Sequence, residues 1–280
     1  MESLAGMTNK HRAFLKWAGG KYSLCDVINK MLPKGDCLIE PFVGAGSVFL
    51  NSNYSRYILN DINKDLIELY KILQLTPERF IEEAQKLFAE QYNNADAYYE
   101  LRANFNATQD SFERSVLFLY LNRHGYNGLC RYNKSGGYNV PFGKYKKPYF
   151  PEKELNIFAE KSQRATFVCE NYRETFKRAT DGDVIYCDPP YVPLSKTASF
   201  TSYAGNGFGL DEQADLANAA EEITSQVANT SVLISNHDTI WTRKIYEHAT
   251  KIRKLKVART ISQKGSSRKK VGELLAMYKS

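Results

Sequence analysis

The sequence predicts an α/β protein whose parallel sheet is interrupted by a helical insert. Three observations carry this. Short apolar runs bounded by turn residues alternate with amphipathic stretches at both ends of the chain, as buried parallel strands and crossover helices do. A glycine-rich turn, Pro41-Phe42-Val43-Gly44-Ala45-Gly46-Ser47, follows the first such run. Between residues 63 and 121 the alternation gives way to successive helical patterns.

The elements follow in order. Met1–Lys10 is polar and reads as a disordered lead. Gly19-Gly20, after Trp17, marks a tight turn that presents backbone amides, with Lys21 just beyond. Cys37–Glu40 is a short strand, and Gly44 and Gly46 let the chain turn tightly before a helix at Ser47–Asn51. A second strand, Arg56–Leu59, ends at Asn60-Asp61. Asp61 lies 21 residues after Glu40, the usual offset for a carboxylate on ribose hydroxyls. Strand, glycine turn, helix, strand and acid together predict a Rossmann-like nucleoside-cofactor site. That spacing fits nicotinamide cofactors and S-adenosylmethionine (AdoMet) alike.

Asp65–Leu75, Thr76–Tyr92, Ala97–Phe105 and Ser111–Leu121 read as helices, the second capped by Thr76 with Pro77 at its first position. Arg114–Pro151 holds seven Lys/Arg, no Asp or Glu and six tyrosines, the composition of a surface for phosphates and bases. Lys134–Gly137 reads as a hairpin tip within it. The α/β pattern then resumes with strands at Thr166–Glu170, Val184–Cys187 and Ser231–Ser235, and an amphipathic helix at Asp211–Val227 capped by Asp211. Residues between Val192 and Gly209 are rich in Ser, Thr and Gly and suggest a lid. Lys251–Lys270 carries nine basic residues and no acid, with a turn at Lys264–Arg268, and is a second candidate phosphate contact. The boundaries that result are a discontinuous catalytic unit, 1–62 and 152–280, and an inserted unit, 63–151.

Asp188-Pro189-Pro190-Tyr191 sits at the carboxyl end of the Val184–Cys187 strand, where open α/β sheets place ligands. Two prolines stop strand pairing there. The motif offers a carboxylate, an outward backbone carbonyl and an aromatic face. These match a planar exocyclic amine: Asp188 and the Pro189 carbonyl accept its two hydrogens, freeing the lone pair to attack. Tyr191 stacks on a base taken out of a duplex.

Composition sets the outer bounds. The chain has 280 residues, 43% of them hydrophobic, and a net charge of +7. The charge favours a polyanionic partner. Five cysteines without a CxxC pair argue for reduced thiols and against a zinc site. No signal-peptide pattern or apolar span is visible, so the expected location is cytoplasmic, near the nucleoid, as a monomer.

Taken together, Phe42-Val-Gly-Ala-Gly46, the basic helical insert and Asp188-Pro-Pro-Tyr191 closely resemble the α group of DNA adenine-N6 methyltransferases. The segments Phe14–Lys21, Glu40–Phe49, Tyr120–Asn133, Pro141–Pro151 and Ser235–Thr239 resemble the Dam family, which methylates adenine in GATC. That resemblance implies AdoMet as cofactor, S-adenosylhomocysteine as product, no metal, and double-stranded DNA as substrate. It implies cofactor contacts at Trp17, Lys21, Glu40, Phe42, Gly44, Gly46, Asp61 and Asp188. It implies catalysis at Asp188, Pro189, Pro190 and Tyr191, and a mainly helical DNA-recognition unit carrying a β-hairpin. DNA contacts are implied at Lys16, Tyr126, Asn127, Leu129, Arg131, Asn133, Pro141 and Lys144. Among these, Lys144 stands where the family often has Arg, and a lysine lacks the bidentate fork for reading a base. Other classes remain to be separated: a cytosine-N4 or RNA amino-methyltransferase, a nicotinamide oxidoreductase, and a non-catalytic DNA-binding relative.

Overall fold

Cys37–Glu40 forms strand β1, buried along its whole length. It is the third strand of a seven-stranded sheet in a computed structural model that describes residues 10–191, 208–258 and 270–280. The other strands are β2 (Arg56–Asn60), β3 (Ala165–Val168), β4 (Val184–Cys187), β5 (Ser231–His237), β6 (Lys251–Ala258) and β7 (Lys270–Lys279). Their order is β3-β2-β1-β4-β5-β7-β6. β1 to β5 run parallel, and β7 pairs antiparallel with both β5 and β6. The chain therefore leaves β1 toward one edge and β4 toward the other. The crevice between their carboxyl ends is the switch point where such sheets bind ligands.

Alternation along these strands feeds two hydrophobic layers. Leu38, Val184 and Tyr186 join the first, with Phe14, Phe49, Tyr70 and Phe158. Cys37, Ile39, Ile185 and Cys187 join the second, with Leu216, Ala220 and Tyr246. The first face is covered by helices α1 (Cys25–Met31), α2 (Ser47–Asn51), α3 (Lys64–Leu75) and α7 (Glu152–Ser162). The second is covered by α8 (Tyr172–Phe176), α9 (Leu210–Gln226) and α10 (Ile240–Ile245).

Between β2 and β3 stand α3, α4 (Pro77–Lys86), α5 (Ala95–Ala107), α6 (Ser111–His124), a long loop and α7. Each residue of α6 from Ser115 to His124 is buried, so it is the spine of this block. The block shares one continuous core with the sheet: the Tyr70 ring lies 4.6 Å from Phe158 and 5.5 Å from Phe167.

The structure redraws several expected features. The expected helix Thr76–Tyr92 ends at Lys86, because Phe88 turns to pack on His124 and Phe150, and a single 3-10 turn follows at Glu90–Tyr92. Thr76 precedes that helix, but its hydroxyl donates backward to the Ile72 carbonyl instead of capping it. Asp211 lies inside the first turn of α9; Gly209 is the cap, and its N–H donates to Glu212. Strand β3 stops at Val168, and Glu170 instead pairs with Arg178. The suggested lid between Val192 and Gly209 falls almost wholly, and the Lys264–Arg268 turn and the lead before Lys10 fall entirely, outside the described residues.

Candidate functional site

Two groups of predicted residues come together in the fold, one in the crevice and one on the loop after α6. In the crevice, Lys21 reaches Asp188 at 2.8 Å and donates to the Gly19 carbonyl at 2.7 Å. Its ammonium also lies 4.5 Å from the Tyr191 ring centre and 3.9 Å from Glu273. Ser235 donates to the same Asp188 oxygen, and the Tyr186 hydroxyl backs Ser235 at 3.0 Å. Asp188 is thus held by a cation and a hydroxyl before any substrate arrives. Tyr191 donates its hydroxyl to Glu273 and meets the His237 ring edge-on at 4.7 Å. Burial and the charges of Asp188 and Glu273 push the Tyr191 phenol far above its ordinary range, so it stays neutral.

The glycine turn after β1 is shaped by residues that the sequence linked to a cofactor. Gly44 and Gly46 both have positive φ, 47° and 71°. Trp17 packs so closely on Gly44 that a Cβ there would lie 2.9 Å from the indole nitrogen. Asp61 accepts from the N–H of Gly44 at 3.1 Å and of Asn63 at 2.9 Å. Burial raises its carboxyl above the usual range, and those backbone donors pull it back. A carboxylate has about four acceptor sites, so Asp61 retains capacity beyond the turn it organises. Phe42 forms an aromatic group with Tyr172 and Phe208, at 5.4 and 5.5 Å.

Glu40, the last residue of β1, is 2% exposed. Its Oε1 has no hydrogen-bond partner among the described residues. Burial first, and the nearby Asp188 charge second, raise its carboxyl well above the ordinary range. Such an orphaned oxygen in the crevice suits a donor or cationic group of a bound small molecule.

The loop after α6 is built differently. Tyr126 is 46% exposed. Asn127 and Gly128 are both left-handed, with φ of 54° and 61°. The Asn127 N–H donates to the Tyr145 hydroxyl, and the Tyr126 N–H to the Pro141 carbonyl. Leu129 is half-buried against the core, while Pro141 and Lys144 are exposed, Lys144 with φ 54°. The exposed Arg131 leans on Asn139 through Nε at 2.7 Å and Nη2 at 3.1 Å. Asn133 turns its carboxamide oxygen onto Ser135 and Gly137 and closes the hairpin tip, whose strands touch only at single bridges. Lys16 tucks beneath this loop, donating to the Arg123 carbonyl, with its ammonium 3.8 Å from the Tyr145 ring centre. Burial and Arg123 lower its pKa to about 8.

The cationic stretch is smaller than it reads. Of its seven Lys/Arg, Arg114 is spent on Asp65, at 2.6 and 3.1 Å, and Arg123 on the carbonyls of Tyr149 and Phe14. Arg131, Lys134, Lys144, Lys146 and Lys147 are exposed. Tyr120 and Tyr138 are core residues.

Sequence reasoning missed Gln213 and Glu273. Gln213 stands at i of an i, i+3, i+4, i+7 stripe whose other members, Leu216, Ala217 and Ala220, are apolar. A polar residue in that register is a readable signal. Glu273 is the first acid after the basic run, and its pairing with His237 brings it to the crevice end of β5.

Residues 17–261 match the sequence profile of the family described as D12 class N6 adenine-specific DNA methyltransferase. The DNA adenine methylase of Escherichia coli K12 is 59% identical over 270 residues, covering 96% of each chain. That of Vibrio cholerae O1 El Tor is 59% identical over 269 residues, again covering 96% of each. That of Serratia marcescens is 58% identical over 270 residues, 96% of this chain and 99% of its own. Among solved structures, the C-terminal domain of precorrin-6Y C5,15-methyltransferase from Rhodobacter capsulatus aligns with a TM-score of 0.43 at 8% identity, covering 95% and 94% of the chains. The family assignment rests on the sequence matches alone.

Proposed function

The chain belongs to the D12 class N6 adenine-specific DNA methyltransferases, and from that premise we propose how its residues divide the work of methylating adenine in duplex GATC. The single observation that carries the reading is Asp188, fixed by Lys21 and Ser235 at the switch point with the half-buried Tyr191 ring beside it.

The target adenine is flipped out of the helix and lies against Tyr191. Asp188 and the Pro189 carbonyl accept the two N6 hydrogens, which draws the nitrogen toward tetrahedral geometry and exposes its lone pair. Catalysis is mainly positioning and charge stabilisation, with no covalent enzyme intermediate. The crevice fits AdoMet on one observation of its own: the orphaned Glu40 oxygen is an acceptor awaiting a cationic donor. Bound there, AdoMet supplies the sulfonium methyl. Trp17, Phe42, Gly44, Gly46 and Asp61 shape its bed, with Asp61 offering its spare acceptor sites to ribose hydroxyls and Lys21 near its carboxylate.

Residues 63–151 form the recognition unit. Tyr126 wedges into the stack, Asn127 steadies the opened strand, and Lys16, Leu129, Arg131 and Pro141 read the site. Arg131 keeps the guanidinium edge turned away from Asn139 for a guanine, and Leu129 offers apolar surface for a thymine methyl. Asn133 shapes the hairpin tip that presents these side chains, and Lys144 meets phosphate. The test is methylation with labelled AdoMet on duplexes with and without GATC, followed by nucleoside analysis. N6-methyladenine confined to GATC duplexes is expected. Equal label on both duplexes overturns the site assignment, and N4-methylcytosine overturns the target base.

A further inference from the structure

Gln213 is fully buried in α9, yet it is not an idle polar residue. Its Nε2 donates to the Pro190 carbonyl at 2.7 Å. Its Oε1 accepts from Asn236 and from the Tyr246 hydroxyl, each at 2.8 Å. Asn236 also donates to Tyr246, at 3.0 Å. The amide is therefore saturated on its oxygen by β5 and the end of α10, which leaves its nitrogen one orientation, toward the motif. Burying an amide costs stability unless it is bonded, and Leu216, Ala217 and Ala220 show that this stripe otherwise takes apolar side chains.

We infer that Gln213 is a positioning residue for methyl transfer, acting by fixing the Pro190 carbonyl. The inference rests on the proposed role of Asp188-Pro-Pro-Tyr191. The proline rings set φ at residues 189 and 190, which leaves ψ as the soft torsion at each. Holding the Pro190 carbonyl sets ψ there, and so sets the direction in which Tyr191 leaves. Glu273 fixes the far end of the same side chain. Lys21 and Ser235 fix Asp188. Without Gln213 the segment is anchored at its two ends and free to rotate between them. A displacement of about 1 Å at reacting groups costs on the order of 100-fold in rate.

The experiment is single-turnover transfer on a GATC duplex, with AdoMet and duplex affinities and thermal stability measured on the same preparations. Gln213→Met should slow transfer by about 10- to 100-fold while both affinities hold. Gln213→Glu keeps the shape and the acceptor for Asn236 and Tyr246; protonated it can still donate to the Pro190 carbonyl and ionised it cannot, so transfer should be slowed increasingly as pH rises, with affinities intact. It stands in should Gln213→Met fail to fold. Leu216→Ala opens a cavity on the same stripe of α9, away from the Pro190 carbonyl, and gauges what loss of helix packing alone does. Wild-type transfer in both Gln213 variants overturns the inference, as does a loss no larger than Leu216→Ala shows at equal stability. Asp188→Ala is run alongside: if it retains transfer, the reading of the motif fails, whatever Gln213 does.

Discussion

The crevice and the loop after α6 are built in opposite ways. In the crevice, Lys21, Asp188, Tyr191, Glu273, Ser235 and Gln213 are tied side chain to side chain, or side chain to backbone, in a largely buried network. On the loop, Tyr126, Asn127, Arg131, Lys144, Lys146 and Lys147 are exposed, and the bonds that shape it run mostly through its backbone. The first arrangement holds a reacting geometry before substrate arrives, so charge stabilisation costs no reorganisation at the moment of reaction. The second leaves side chains in water, where DNA can select among their rotamers. The proposed function places chemistry on strand ends and reading on a loop braced by a buried helix.

If that division holds, substitutions should separate cleanly. Asp188→Ala has the largest expected effect: transfer falls by at least about 100- to 1,000-fold while duplex binding largely survives. Rapid-quench transfer beside a fluorescence binding assay checks both halves, and parallel loss of binding would break the division.

Glu40→Gln comes next. Removing a charged acceptor should weaken AdoMet binding by about 1.5–3 kcal/mol, read by calorimetry. The pH sign follows from the raised carboxyl. In the free protein Glu40 is neutral below its raised pKa, so a cationic ligand that favours the ionised form releases a proton on binding. Wild-type affinity should then rise with pH from the ordinary carboxylate range upward, and the Gln variant should lose that slope. Stability runs the other way: the neutral buried carboxyl is tolerated at low pH, and wild-type stability is lost as pH rises through the raised pKa. The Gln variant should therefore gain on the wild type as pH increases, visible in melting curves at several pH values.

Gly128→Ala probes the brace of the loop. A Cβ there would lie 2.2 Å from Lys16 Cβ, in a left-handed backbone conformation. A cost of about 1–3 kcal/mol is expected, appearing in duplex affinity with AdoMet affinity unchanged. Weakened AdoMet binding would mean the loop and crevice are coupled. The smallest effect is Lys147→Ala, which should weaken all duplexes alike and lower the salt slope by about one unit. A sequence-dependent loss in a titration at several salt concentrations would make Lys147 a reader.

What was legible in the chain follows the same division. Gly44, Gly46 and Asp188-Pro-Pro-Tyr191 announce themselves because irregular backbone at strand ends needs glycine and proline. The strands of the sheet are apolar runs with clear punctuation. Gln213 and Glu273 were hidden because their partners, Pro190 and Tyr191, lie far off in sequence and meet them only once α9 packs on the sheet and β7 pairs with β5. Arg114 and Arg123 were misread as surface charge for the same reason: the Asp65 that neutralises Arg114 is 49 residues away, and the carbonyls around Arg123 carry no sequence signature.

The most direct test of the division is Arg131→Ala, assayed for single-turnover methylation on GATC and on a duplex altered at its guanine. Arg131 is exposed and steadied by Asn139, while Asp188 is held by Lys21 and Ser235. The loss should be about 1–3 kcal/mol on GATC and much smaller on the altered duplex, so that discrimination relaxes at that one position. An equal loss on both duplexes would contradict the account, leaving Arg131 a phosphate clamp and moving the reading of guanine to another side chain, with Lys16 the first to examine.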